Sequence, residues 1–257
     1  MPSTTDSGSD RSSERRDGRG TSGVDTGSVR GGERGSDLEF VVRTIARTAV
    51  DNEREFGELD AVVGDGDFGY SLARGFEIVL ADWDTFDRDS PSVFLKKVAL
   101  VISKRVGGTS GPLWGTAFLR AAGAVNERSW SELGGADAVA MLRAAAEGIK
   151  VRGRSDLGDK TLLDALIPMT DALETELRTG QGAAARPTGP AGPAGPAGPA
   201  RVAATAARIA ADATTPMLAR RGRPSYTGER SIGSPDAGAV AVAVIAERIA
   251  DEWARRV

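Results

Sequence analysis

Two residue types are missing altogether from these 257 residues: there is no cysteine and no histidine. The first absence removes disulfides, thiolate metal sites and cysteine nucleophiles. The second removes imidazole zinc sites and every catalytic triad built on an imidazole base. Aromatics are scarce, at 5% against 40% hydrophobic residues overall, so a core must be assembled from Ala, Val, Leu and Ile. That is enough apolar material for one good core, in one or two domains. The formal charge of −3 offers no basic field to recruit nucleic acid or an anionic membrane. No run approaches the ~20 uninterrupted apolar residues of a membrane helix. The opening residues "MPSTTDSGSDRSSERRDGRG" also lack the apolar stretch of a secretory signal. The expected setting is a soluble protein of the cytoplasm. What survives these exclusions is oxygen-ligand chemistry, in which carboxylates hold Mg²⁺ or Ca²⁺.

Composition divides the chain. Residues 1–36 are Ser, Gly, Arg and Asp with almost nothing apolar, which reads as a disordered tail. A domain is expected over 37–257, interrupted by a loop at 179–201 that contains "GQGAAARPTGPAGPAGPAGPAR" (180–201) and its four Gly-Pro-Ala triplets. Four triplets are far too few for a collagen triple helix, so an extended, flexible loop between helices is the better reading. An assembly element built on the repeat is the alternative. Between these segments apolar residues recur at helical spacing. Helices are expected over 38–52, 71–83, 90–106, 111–125, 136–150, 161–178, 201–221 and 236–256, with Ser90 as an N-cap and Pro91 in the first turn. No run alternates with the period of two that marks a half-buried strand. Eight helices on short connections imply antiparallel neighbours in a bundle or closed barrel, so the fold class is all-α.

Glycine collects at the joints between helices, where free backbone N–H groups bind anions. The first joint, "LDAVVGDGDFGYSLARGFE", sets Asp60, Asp65 and Asp67 within eight residues. An EF-hand fails here: counting from Asp65, position six is Tyr70 and position twelve is Phe76, where Gly and a bidentate Glu are needed. Mg²⁺ fits better, because it takes few carboxylates and bridges to phosphates. Capping of the next helix is the alternative, yet a cap needs one carboxylate and here there are three.

The second joint, "VGGTSGPLWGT", combines tight-turning glycines with Thr109 and Ser110 just before a helix. It suits either a phosphate cradle or an ordinary helix connection. The third, "GRSDLGDKT", narrowly misses a P-loop: Asp159 intrudes before Lys160, and the segment follows a helix instead of a strand. Lys160 and Thr161 suit a helix start near an anion, a surface ion pair or a cap. The fourth, "RRGRPSYTGERSIGSPDAGAV", carries Arg220, Arg221, Arg223 and Arg230. It reads as bidentate phosphate contact or as a charged surface loop.

Taken in order, "LDAVVGDGDFG", "GGTSGPLWGTAFLRAA", "GDKTLLDALIP" and "GRPSYTGERSIGSPDAGAVAVAVI" resemble the nucleotide-binding L subunit, or L domain, of dihydroxyacetone kinases. The resemblance spans residue 38 to the C-terminus, apart from the Gly-Pro-Ala loop. It implies an eight-helix antiparallel up-and-down barrel with nucleotide bound at one end. It implies that Asp60, Asp65 and Asp67 hold two Mg²⁺ ions, which grip the phosphates of ADP or ATP and make the trio the catalytic centre. Phe68, Gly69, Tyr70, Ser71, Thr109, Ser110, Gly153, Leu162, Arg223, Asp236, Ala237 and Gly238 match nucleotide-contacting positions, with Gly158 on the adenine side. The implied activity is phosphoryl transfer to dihydroxyacetone bound on a separate K subunit. A phosphocarrier M subunit of the phosphoenolpyruvate-dependent system would recharge ADP held as a coenzyme. Neither nucleic acid nor membrane is an expected partner, and a homodimer is left open.

The chain departs from the family pattern in places. Phe68 stands where the family has His, Ser71 where it has Asn, and Ser234 where a His precedes the D-P-G turn. Those losses keep two alternatives in view: an L-like subunit of a kinase for another keto-sugar or a fatty acid, and a nucleotide-binding regulator.

Overall fold

The computed structural model describes the backbone of residues 26–183 and 198–256, and side chains over 37–180 and 198–256. Residues 1–25 of the expected tail and 184–197 of the expected Gly-Pro-Ala loop lie outside the described residues. Among those described there are nine α-helices and no strand: α1 Thr26–Asp51, α2 Glu53–Ala61, α3 Phe68–Ala81, α4 Pro91–Arg105, α5 Ser110–Ala124, α6 Gly135–Gly153, α7 Leu163–Ala183, α8 Gly198–Ala213 and α9 Ala237–Ala254. The all-α expectation is met. Helical backbone runs further than the compositional boundaries suggested: α1 starts inside the stretch read as tail, while α7 and α8 each reach into 179–201. Extending a packed helix is far cheaper than nucleating one.

Helices pack in the order α1, α3, α4, α5, α6, α7, α8, α9, and α9 returns to α1. That ring is a closed up-and-down barrel, with α2 laid against α3 and α9. Its interior has two apolar clusters bridged by Val244. One joins Val42, Phe56, Leu72, Phe76, Phe94 and Ile102 from the first half. The other joins Ile149, Leu163, Ala204, Ala207, Ala243 and Ala246 from the second. Small side chains on α8 and α9 let those helices approach closely, which is how a chain poor in aromatics still fills its core.

Every second connection of such a ring lies at the same end. The joints α2–α3, α4–α5, α6–α7 and α8–α9 are therefore neighbours, and these are the four Gly-rich segments. The opposite end is closed by the scarce rings: Phe94 stands 5.5 Å from Trp83, 6.1 Å from Phe86 and 5.9 Å from Trp130. There too α4 starts on its expected cap, with Ser90 Oγ accepting the Val93 N–H at 3.2 Å and Pro91 in the first turn.

One expectation is corrected. The helix read as 201–221 ends at Ala213. Thr214 turns its hydroxyl onto the Ala211 carbonyl at 2.6 Å, a local bond that competes with helix continuation, and Pro216 has no N–H to offer. Residues 214–236 instead form an irregular arm containing a 3₁₀ stretch, Arg223–Ser231, that bends at Gly228.

A candidate nucleotide and metal site at the glycine-rich end

Asp60 stands near the C-terminal end of α2, Asp65 in the loop that follows, and Asp67 immediately before α3. Each offers a carboxylate oxygen within 4.8 Å of the others. The loop is built for this crowding. Gly66 adopts φ +75, and a Cβ on Gly64 would sit 2.3 Å from Asp60 Oδ1. The Gly66 N–H donates to Asp60 Oδ2 at 2.9 Å. Capping accounts for one carboxylate at most: Asp60 takes the N–H of Phe68 at the start of α3, while Asp67, immediately before α3, makes no side-chain cap bond. Asp236 shows what a cap looks like here, its Oδ1 accepting the Ala239 N–H at 2.7 Å.

The electrostatics ask for a cation. Burial raises Asp60 above the usual carboxylate range, the N–H groups of Phe68 and Gly66 oppose that, and the charges of Asp65 and Asp67 reinforce it. A positive group is close by: Arg223 Nη1 lies 2.5 Å from Asp65 Oδ2, and Nη2 lies 3.7 Å from Asp67 Oδ2. The donor set is hard oxygen, partly open to solvent, with no histidine or cysteine anywhere in the sequence. Such a set suits Mg²⁺, which retains waters and shares its remaining positions with phosphate.

The other residues singled out from sequence fall into three groups around this mouth. Ser71 on α3 faces the second joint, where a Cβ on Gly107 would come 2.9 Å from its hydroxyl; Thr109 and Ser110 follow at the start of α5. Leu162 and Gly238 meet directly, a Cβ on Gly238 lying 3.2 Å from that of Leu162, with Asp236 and Ala237 alongside at the start of α9. Gly153 ends α6 against Leu113 of α5. Gly158 (φ +91) heads the third joint, its N–H held by Asp164 Oδ1 at 2.6 Å. Two residues point elsewhere. The Phe68 ring packs 6.0 Å from Phe56 in the core, so only its backbone N–H serves the triad. Tyr70 lines a cavity of about 620 Å³ with Asp51, Glu53 and Gly57, beside α2. Ser234 has a buried hydroxyl with no hydrogen-bond partner among the described residues.

Sequence reasoning missed a buried polar cluster beneath the arm. Lys160, read as a helix start near an anion or a surface group, is 2% exposed. Its Nζ donates to the carbonyls of Met217 at 3.0 Å, Ser231 at 2.5 Å and Ser234 at 2.7 Å. Burial lowers its pKa, and Asp236 opposes that. Asp164 holds the same loop through Gly158 and Thr161 N–H. Asp236 is pushed up to about 7, mainly by burial and further by Asp164, against the pull of the Ala239 N–H and Lys160. A lysine two residues beyond a glycine was the available signal, but its partners lie 57 to 74 residues away.

A closed helical barrel with an acidic, arginine-faced, glycine-rich mouth defines the class: an all-α barrel domain with its candidate site at one end. Within that class the chain belongs to the DAK2 domain family, whose model it matches over residues 62–189 and 192–251. It is 34% identical over 192 residues to the ADP-binding subunit DhaL of the PEP-dependent dihydroxyacetone kinase of Escherichia coli, covering 75% of this chain and 84% of that one. It is 36% identical over 220 residues to the L-erythrulose 1-kinase of Mycolicibacterium smegmatis, covering 84% of this chain but spanning only 35% of that enzyme. The fold is also that of part of the C. freundii dihydroxyacetone kinase in its crystal structure with AMP-PNP and Mg²⁺. That match has a TM-score of 0.58 at 20% identity and covers 95% of this chain and 37% of the other. No helix among the described residues is long and apolar enough to cross a membrane.

Proposed function

We propose that this chain is the ADP- or ATP-binding component of a kinase that phosphorylates a short ketose of the dihydroxyacetone type held on a separate K chain. The observation that carries the reading is the meeting of three carboxylates within 4.8 Å with Arg223 at the glycine-rich mouth. Asp60, Asp65 and Asp67 would hold two Mg²⁺ ions. When bound, these neutralise charge on the nucleotide's phosphate oxygens. Arg223 offers a planar pair of donors to a phosphate group. Backbone N–H groups at the start of α5, beside Thr109 and Ser110, add anion affinity from a helix N-terminus. Leu162 and Gly238 supply an apolar surface for the base. With little covalent work for the protein to do, positioning and charge carry the chemistry.

The likeness to the ADP-binding subunit of the PEP-dependent kinase of Escherichia coli supports ADP retained as a coenzyme and recharged by a phosphocarrier M chain. The 36% identity to an erythrulose kinase favours a four-carbon ketose as the second acceptor to try. The test is a phosphotransfer assay with the cognate K chain and Mg²⁺. Triose or tetrose phosphate should form with the wild type and vanish with Asp65→Asn or Asp67→Asn. Full turnover in both variants would refute the assignment, whereas nucleotide binding without turnover on any ketose would favour a regulatory barrel.

A further inference from the structure

The fourth joint is a loop pinned at its base. One ammonium, on Lys160, bonds the carbonyl of Met217 before Arg223 and those of Ser231 and Ser234 after it. Both feet of the arm are thereby gathered onto the α6–α7 connection, and Arg223 lies in the span between them. Two further bonds tie the feet to each other, the Gly233 N–H donating to the Thr215 carbonyl at 2.9 Å and the Ala219 N–H to the Ser231 hydroxyl at 3.0 Å. Lys160, with Asp159 beside it, ties them to the barrel: Arg220 N–H donates to the Asp159 carbonyl at 3.1 Å and Arg221 Nε reaches its carboxylate at 3.1 Å.

We propose that Lys160 is a positioning residue whose ammonium anchors the 214–236 arm and so sets where Arg223 stands over the acidic mouth. The proposal rests on the reading that Arg223 serves nucleotide binding there. Chemistry explains why the residue is lysine. Three carbonyls converge, and an ammonium carries three donors in a compact head, whereas a glutamine amide carries two and a guanidinium spreads its donors in a plane. The backbone agrees, since Lys160 sits at φ +59. A non-glycine residue persists in that region only where its surroundings over-determine it. Lys160 bonds neither the triad nor Arg223 and faces Asp236 at the far foot of the arm, so its influence on Arg223 runs through the arm.

The experiment uses the full chain in four forms: wild type, Lys160→Gln, Arg223→Ala and the double variant. Titration with ADP in saturating Mg²⁺ should show Lys160→Gln weaker by about tenfold or more. The double variant should be no weaker than Arg223→Ala, because two residues acting through one contact are not additive. Mn²⁺ uptake without nucleotide, followed by electron paramagnetic resonance, should be unchanged in Lys160→Gln. Fully additive losses, or wild-type ADP affinity in Lys160→Gln, would overturn the proposal. Amide exchange without ligand reads the anchor separately. Residues 217–234 should exchange faster in Lys160→Gln while α1 to α5 keep wild-type rates, and an unchanged arm defeats the proposal even if ADP binds as proposed. Failure of the wild type to bind ADP, with the arm loosened as expected, strikes the functional reading and leaves the anchor standing. Should Lys160→Gln not fold, Lys160→Arg carries the same readouts and is expected to fall short of wild type by less than tenfold. Wild-type arm exchange in that variant together with lost ADP affinity would overturn the proposal.

Discussion

Asp60, Asp65 and Asp67 are close enough to repel one another, and the charges of Asp65 and Asp67 add to the rise that burial imposes on the Asp60 pKa. The loop tolerates this because its glycines leave the carboxylates room. Gly64→Ala places a methyl against Asp60 Oδ1, so divalent-metal binding should fall at least about tenfold while helical circular dichroism is unchanged. Asp236 supplies a pH signature. Its folded-state pKa of about 7 lies above the ordinary 3.8, so the folded chain keeps a proton that the unfolded chain has released. The stability this group contributes is complete below about pH 4 and is lost as pH rises to about 7. Asn caps a helix as well as Asp does. The melting temperature of Asp236→Asn should therefore decline less across that window than the wild type's, as calorimetry at several pH values would show. The triad was legible in the sequence because its members are near neighbours with one chemistry. Lys160 and Asp164 were not, since their meaning depends on carbonyls and amides that only the folded arm brings to them.

Elements were legible to the extent that their apolar period was. The α4 start at Ser90 and Pro91 follows from local rules, and its cap should behave locally. Ser90→Ala should cost about 1 kcal/mol of stability by denaturant titration and leave ADP affinity unaltered, since that end is remote from the mouth. The α8 terminus was misread because Ala-rich periodicity gives no hint of where Thr214 diverts the backbone. The arm that follows has no period at all. Its structure comes from tertiary bonds: Lys160 to three carbonyls, and Thr214 Oγ1 accepting the Asp236 N–H at 2.8 Å. The separate helix α2 was also hidden, its break from α1 marked only by Asn52, whose amide donates to the Thr48 carbonyl at 2.8 Å.

At the scale of the molecule, the barrel divides its labour between two ends. Rings close one end, and Phe94, fully buried among Trp83, Phe86 and Trp130, is its centre. Phe94→Ala should destabilise the fold by about 3–5 kcal/mol, measurable as a lowered denaturant midpoint. Ring closure itself was not readable from periodicity, which says that helices are amphipathic but not which ones meet; the resemblance in motif order supplied it. The other end holds the four joints, and the account stands on what binds there. The most direct measurement is calorimetric titration of the full chain with ADP, with Mg²⁺ and then with chelator. Binding should require the divalent ion and disappear in both Asp65→Asn and Asp67→Asn with the melting temperature of the free chain maintained. ADP binding that persists in chelator, or in those variants, would contradict it.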